Sequence, residues 1–379
     1  MNIVEQTSTF VTTRILAFVK PQHKKLFAFG IQALSLTAYT SLGSNARQII
    51  ANVNTASSKI YRLVSNNTIR NNFHSILRLS GLVTKASLIN IDFSTFCGFQ
   101  VLAFAKQTGK GRSLPVWNNS ICYPIEEEGS QNIFVLEEIQ KFGKVLGFFP
   151  KFVFDRGFWI PCVMEFLLKE HIPFYLRIKK GQHFEWEQET KQEKQAREQG
   201  KKKRQRRKKK GKQKKKKKET AYEIGRQTKD ARIMVFGKLM RLIVSPPPPE
   251  QTNPKKKQNT QRWYIVTNDM ETSRKQILHI YKTRFEIEET FKDMKHIQEL
   301  KVFHIKTIQT CTILLWFATI AFWLAYWREN VTDITRIKEQ QTKAGKKKTL
   351  SFVRIFWEEL QRAVRIERMN QIVGIIAPG

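Results

Sequence analysis

Four polar side chains of different chemistry recur at helical spacing in Tyr281–Lys295, YKTRFEIEETFKDMK: the Tyr281 phenol, the Arg284 guanidinium, the Glu288 carboxylate and the Lys295 ammonium. At ~100° per residue they project within an arc of roughly 60° on one α-helix. A carboxylate flanked by two cations and a phenol suits a site that holds a metal ion and the phosphate oxygens around it. Ile280, Ile287, Phe291 and Met294 make an apolar arc beside the stripe, which would anchor the helix in a core. Glu286, Glu289 and Asp293 fall off the stripe. The same residues also read as a solvated helix face with an i,i+4 ion pair between Arg284 and Glu288.

Two more carboxylates follow apolar runs. SLINIDFSTF is apolar at alternate positions and reads as a strand ending near Asp92, while KFVFDRGFW reads as a buried strand ending in Asp155 and Gly157. Open sheets place active groups at strand ends. Chain order leaves open whether Asp92, Asp155 and Glu288 converge. If they do, three carboxylates suit one or two Mg²⁺, and two ions about 3.5–4 Å apart serve phosphodiester displacement by activating the attacking oxygen and stabilising the leaving one.

The elements that must position these acids follow from pattern. Residues 1–86 read as short helices, and Ala46–Asn54, a break at Thr55 and Ala56, and Ser57–Val64 resemble a helix-turn-helix as much as a plain bundle. The Asp92 strand, QVLAFAKQT and SLPVWNNSICYP, joined by short turns, predict an antiparallel meander. A helix at Asn132–Leu146, the Asp155 strand, a helix at Trp159–Glu170 and the strand IPFYLRIKK then alternate as parallel sheets do. These segments fill 87–180 and define an α/β class.

Residues 181–268 interrupt the alternation. Gly181–Gln227 is charged and of low complexity, and is expected to be disordered or a solvated helix until it meets phosphate. RIMVF and LMRLIVS predict a hairpin turning at Gly237-Lys238, a proline-rich linker follows, and RWYIVTN is a further strand. The chain then resumes with 269–330. Its apolar run Cys311–Trp327 is short for a membrane span and reads as a buried core helix, so no membrane partner is expected. In 331–379, Leu350–Met369 predicts a closing amphipathic helix.

A 379-residue chain that is 41% hydrophobic and 26% charged is globular, but its net charge is +35. Fifteen positive charges lie in Lys201–Lys218, and removing them still leaves +20 on the rest. Such a balance favours a polyanion partner, nucleic acid ahead of an anionic membrane. Cys97, Cys122, Cys162 and Cys311 form no CxxC pair and read as buried free thiols of a reducing compartment. The histidines show no HExxH or finger spacing, which argues against a zinc site. The first residues, MNIVEQTSTFVTTR, predict no secretion signal.

Tyr281-x2-Arg284-x3-Glu288-x6-Lys295 resembles the Tyr-Arg-Glu-Lys signature of a large family of bacterial insertion-sequence transposases with an Asp-Asp-Glu triad. NIDFST around Asp92, FDRGF around Asp155 and the strand YLRIKK resemble that family's neighbourhoods in the same order, from about 88 to 300. The resemblance implies a ribonuclease-H-like mixed sheet with flanking helices, a β-rich insertion before the catalytic Glu, and an N-terminal helical DNA-binding region. It implies Asp92, Asp155 and Glu288 as a triad holding two Mg²⁺, with Mn²⁺ able to substitute. Tyr281, Arg284 and Lys295 would hold phosphates near the cut. The implied activity is cut-and-paste movement of a DNA element: a nick by water, attack of the freed 3′-OH to give a hairpin, hairpin opening and strand transfer. Double-stranded terminal repeats and target DNA, a homodimer on DNA and a cytoplasmic, nucleoid-associated location follow. Phe285 stands where a Trp is common, and Trp186 and Trp263 are candidates for an aromatic that stacks on a flipped base, though a core or strand role suits each better. A DNA-binding protein that has lost catalysis and a nuclease without strand transfer are the competing readings.

Overall fold

The computed structural model describes residues 9–31, 53–122, 130–186, 217–246, 262–296, 305–331, 339–341, 347–349, 353–356 and 358–359. The chain forms two compact units, one of Met1–Phe152 with Thr283–Gly379 and one of Val153–Lys282. These divisions differ from boundaries drawn at 180 and 268 on pattern alone. Asp155 and Tyr281 share a unit with the insertion, and Asp92, Arg284, Glu288 and Lys295 share the other.

The first unit is built on the expected meander. Strands β1 (Leu88–Phe96), β2 (Phe99–Lys106) and β3 (Leu114–Ile121) pair antiparallel. Cys97 and Gly98 link β1 to β2 with φ of 51° and 84°, and two left-handed residues in a row make the tight hairpin turn whose twist matches its strands. Helices α1 (Lys24–Gly30), α2 (Val53–Ser65), α3 (Asn67–Leu79) and α4 (Ser130–Leu146) follow the predicted helical pattern. The expected break at Thr55 and Ala56 is absent, since both residues lie inside α2, and the chain breaks at Asn66 instead. A Ser at position 57 caps only where the backbone leaves the helix, and nothing here forces it to. Residues 46–52 of that motif lie outside the described residues.

The apolar run is a core helix, α9 (Ile308–Val331), with Trp316, Phe317 and Phe322 fully buried. It crosses β3, and the Trp323 indole N–H donates to the Pro115 carbonyl at 2.7 Å. Phe317 lies so close to Gly30 that a Cβ there would stand 2.4 Å from its ring, so only glycine lets α1 approach. Of the predicted closing helix, residues 353–356 and 358–359 are helical and the rest lies outside the described residues.

Strand β4 (Lys151–Phe154) leads into the second unit; at its start the Lys151 N–H donates to the Ser87 carbonyl at 3.0 Å. There α5 (Pro161–Lys169), β5 (Phe174–Arg177), β6 (His183–Trp186), β7 (Lys217–Thr220), α6 (Ala221–Gln227), β8 (Asp230–Val235), β9 (Lys238–Val244), β10 (Tyr264–Thr267) and α7 (Arg274–Thr283) follow. The strand order is β5-β10-β9-β8-β6-β7, with every neighbouring pair antiparallel. The hairpin turn falls one residue earlier than predicted, on Phe236-Gly237, because both take positive φ, 48° and 70°.

The segment 181–227 is more ordered at its ends than its charge suggests. Residues 183–186 form β6, 217–220 form β7, and Thr220 with Glu223 makes a reciprocal cap on α6. Alternation in HFEW and the capping pair were the local signals that charge density obscured. Residues 187–216, and so most of Lys201–Lys218, lie outside the described residues, as does the linker 247–261. The architecture is mixed α/β, with strands and flanking helices in both units.

Candidate active site

Asp92 lies in the middle of β1, which continues to Phe96 rather than ending beside it. The signature segment is likewise not one helix. It breaks at Arg284 and Phe285, between α7 and α8 (Glu286–His296), so the single-stripe projection does not hold. One long-range and one local bond meet at the break. The Arg284 carbonyl accepts from the buried Asn90 amide at 3.4 Å and from the Ile287 N–H at 3.2 Å, which turns the chain. Glu286, Glu288 and Glu289 then fall in the first turn of α8, where carboxylates are favoured by the helix dipole.

Arg284 joins two acids within the first unit. Its Nη1 lies 3.2 Å from Asp92 Oδ2 and its Nη2 lies 2.6 Å from Glu288 Oε1. The guanidinium is 3% exposed, against 23% for Asp92 and 45% for Glu288, so the fork is rooted inside and the carboxylates open outward. A fixed planar fork suits such bridging, which a lysine would not reproduce. Asp92 Oδ1 also accepts from the Phe93 N–H at 2.9 Å.

Glu286, off the predicted stripe, holds the β2–β3 turn. Its carboxylate accepts N–H bonds from Thr108 at 3.0 Å, Gly109 at 3.4 Å and Gly111 at 2.8 Å. Arg112 of that turn pairs with Asp293 at 2.7 Å, so two more acids of the segment are structural. At the far end of α8, Lys295 Nζ donates to Ser94 Oγ at 2.9 Å, and burial lowers its pKa.

In the second unit, Asp155 follows β4 as predicted and opens the short turn Arg156–Phe158. Its Oδ1 accepts from the Tyr281 hydroxyl at 2.9 Å, with Arg177 Nη1 at 4.0 Å. Tyr281 is fully buried, its ring edge-on to Trp263. Trp186 is buried too, and its indole N–H donates to Glu219 at 2.8 Å. Of the two predicted stacking candidates, Trp186 is thus buried and Trp263 is half-buried against Tyr281. Phe236, on the hairpin turn, is 41% exposed and stacks on Trp159.

The loop before α7 is tied by Asp269, which accepts from the Tyr175 hydroxyl at 2.6 Å, Thr272 Oγ1 at 2.6 Å and the Thr272 N–H at 2.9 Å. Burial alone would raise this carboxyl, but the bonds from Thr272 and Tyr175 outweigh it and hold the pKa at about 2.

Within neither unit taken by itself do three His, Cys, Asp or Glu side chains of the described residues gather as a metal-binding group. The donors fit a hard divalent ion in kind: Asp92 and Glu288 offer only oxygens and already share a cation in Arg284. Asp155 offers its own carboxylate oxygens, one of them held by the Tyr281 hydroxyl. Of the four cysteines, all free, only Cys311 is buried, and Cys122 is exposed. Pattern reading missed Glu286, Arg177 and Ser94. Arg177 was legible only as part of a strand, and Ser94 only as a neighbour of Asp92 on one strand face.

Residues 135–324 match the family model of the transposase DDE domain. No curated protein matches the chain. Among solved structures, the chain is similar to the piggyBac transposase in a synaptic complex with hairpin DNA, at 10% identity and a TM-score of 0.44, over 100% of this chain and 86% of that one. The family match begins after Asp92 but takes in Asp155 and the whole Tyr281–Lys295 signature. Spanning half of its length, that match identifies the chain as a member of the transposase DDE domain family.

Proposed function

We propose that the protein cuts double-stranded DNA at the terminal repeats of a mobile element and joins the freed ends to target DNA, acting as a homodimer on paired ends with Mg²⁺ or Mn²⁺. The observation that carries this reading is the Arg284 fork between Asp92 and Glu288, two acids from distant segments brought together in a transposase-family chain. In the proposal Asp92, Asp155 and Glu288 are the triad that would hold the divalent ions. When bound, such ions supply charge stabilisation to the attacking and leaving oxygens of a phosphodiester.

The chain's own residues take the remaining tasks. Arg284 keeps the Asp92 and Glu288 carboxylates apart from mutual repulsion, and the Tyr281 hydroxyl orients Asp155. Lys295, the most accessible cation of the signature, meets phosphate. Tyr281 and Arg284 are buried on the acids, so contact with phosphate is secondary for them. Phe236 replaces Trp186 and Trp263 as the aromatic offered to an unstacked base. The excess of positive charge outside the Lys201–Lys218 run supports a DNA partner.

The test uses the full chain with DNA carrying the repeats that flank its reading frame and a supercoiled target plasmid. Wild type is expected to nick, release and join the ends in the presence of Mg²⁺. Glu288→Gln is expected to keep end binding and lose cleavage by about 10³-fold or more. Binding without any cleavage by wild type would support a protein that has lost catalysis. Cleavage without joined product would support a nuclease.

A further inference from the structure

Lys295 ends the signature on the last turn of α8, and a lysine head on a four-carbon stem samples many rotamers unless something holds it. Two groups hold it here. Ser94 Oγ accepts from Nζ at 2.9 Å, and the Phe96 ring lies beneath the ammonium with its centroid 5.0 Å away. Both belong to β1, and alternation puts Asp92, Ser94 and Phe96 on one face of that strand. On α8, Glu288, Phe291 and Lys295 share a face in turn. Phe291 meets Phe96 edge-on at 5.9 Å between centroids, and Arg284 joins Glu288 to Asp92. The two stripes are therefore in register, acid beside acid, ring against ring, and ammonium on hydroxyl.

We infer that Ser94 is a positioning residue, which fixes the Lys295 ammonium on the face of β1 that carries Asp92, so that a bound phosphodiester meets the cation at a set distance from the acids. This rests on the proposed DNA cleavage. Ser94 sits roughly 7 Å along the strand from Asp92. Phe96 supplies a floor but no hydrogen-bond acceptor, so the hydroxyl alone sets the direction of the head.

The experiment compares Ser94→Ala, Ser94→Thr and Lys295→Met, singly and combined, in the full chain. First-strand nicking of end DNA is measured at saturating and limiting DNA. Ser94→Ala is expected to slow nicking at saturation by about 5–10-fold, the net worth of one ordinary hydrogen bond at a half-exposed site, with DNA affinity changed by less than about twofold. Ser94→Thr, which keeps the hydroxyl, is expected to restore the rate. Ser94→Ala is expected to cost nothing further in the Lys295→Met background. An equal loss in that background, no rescue by threonine, or an unchanged rate in Ser94→Ala would each overturn the inference.

A second readout does not depend on DNA chemistry. Ser94→Ala is expected to raise the acetylation rate of Lys295 severalfold relative to Lys292, an exposed neighbour paired with Glu289. An unchanged ratio overturns the Ser94 role. Wild type that never cuts DNA would instead overturn the proposed function and leave this second readout to decide Ser94.

Discussion

The two units hold their acids in opposite ways. In the first, Asp92 and Glu288 are bridged by a guanidinium that is 3% exposed, a charged clamp rooted in the interior. In the second, Asp155 accepts from a neutral phenol at 2.9 Å, with Arg177 at 4.0 Å. Two carboxylates side by side repel each other and need a full positive charge between them, whereas within its own unit Asp155 is oriented by a neutral donor with Arg177 farther off. Each unit also ties a loop with carboxylates: Glu286, with Asp293 on Arg112, gathers the β2–β3 turn, and Asp269 gathers the loop into α7. The comparison teaches that the acids of the signature region divide into those that face outward and those that build the frame. Burial separates them, since Glu286 and Asp293 are each 7% exposed.

The sharpest break in this comparison is Arg284→Ala. Removing a buried partner strands the remaining charges, which costs about 3–5 kcal/mol in full burial. Because Glu288 is 45% exposed, the expected loss in unfolding free energy is lower, about 2–3 kcal/mol. Urea unfolding measures it, and a midpoint equal to wild type would mean that the fork is not a clamp. Arg284→Lys is expected to recover only part, for want of the second arm.

A contrast in pH follows. His74 stacks on Trp117, and burial first, then the Arg70 charge, lowers its pKa to about 4. Its folded value lies below the ordinary 6.5, so the unfolded chain binds the extra proton. Stability of the first unit is thus full above about pH 6.5 and declines as pH falls toward 4. Asp269 has a folded value of about 2, below the ordinary carboxyl range, so its contribution in the second unit persists until pH falls through about 4 toward 2. Hydrogen exchange followed from pH 7 to 4.5 is expected to show protection lost in β3 and α9 before β5 and β10. His74→Phe should flatten the first change, and the same slope in that variant would remove His74 as its source.

Asp269→Asn tests the loop clamp of the second unit. The amide keeps one acceptor oxygen but loses the charge and sets a donor against the Tyr175 and Thr272 hydroxyls. The expected cost is about 1–3 kcal/mol. Exchange of the 268–273 amides should rise with it, while the Glu286-bound turn stays protected.

Much of the frame was legible because it is local. Alternation and short turns gave β1 to β3, and the apolar run gave α9. What stayed hidden depends on partners far away in sequence. At the break, the Arg284 carbonyl accepts from Asn90, a partner that 281–295 alone does not reveal. The hairpin turn shifted because Phe236, a poor candidate for positive φ, takes it beside Gly237. Chemical type and spacing marked Asp92, Asp155, Glu288, Tyr281 and Arg284 as candidates, but not the contact of Arg284 with Asp92 or of Tyr281 with Asp155. A helical wheel assigns a direction and says nothing of which acid stands there.

The smallest expected effect is Tyr281→Phe. It removes one hydroxyl donor to Asp155 and keeps the ring against Trp263, so the loss is about 0.5–1.5 kcal/mol. Arg177→Gln alone should cost less, since 4.0 Å is the edge of ion pairing. Their combination decides how Asp155 is held. If either group can orient the carboxylate, the double variant costs more than the two singles together. Strict additivity in unfolding free energy would show that the two groups act independently, and a negligible cost of Arg177→Gln in both backgrounds would leave the phenol alone to orient Asp155 and set the second unit further apart from the charged clamp of the first.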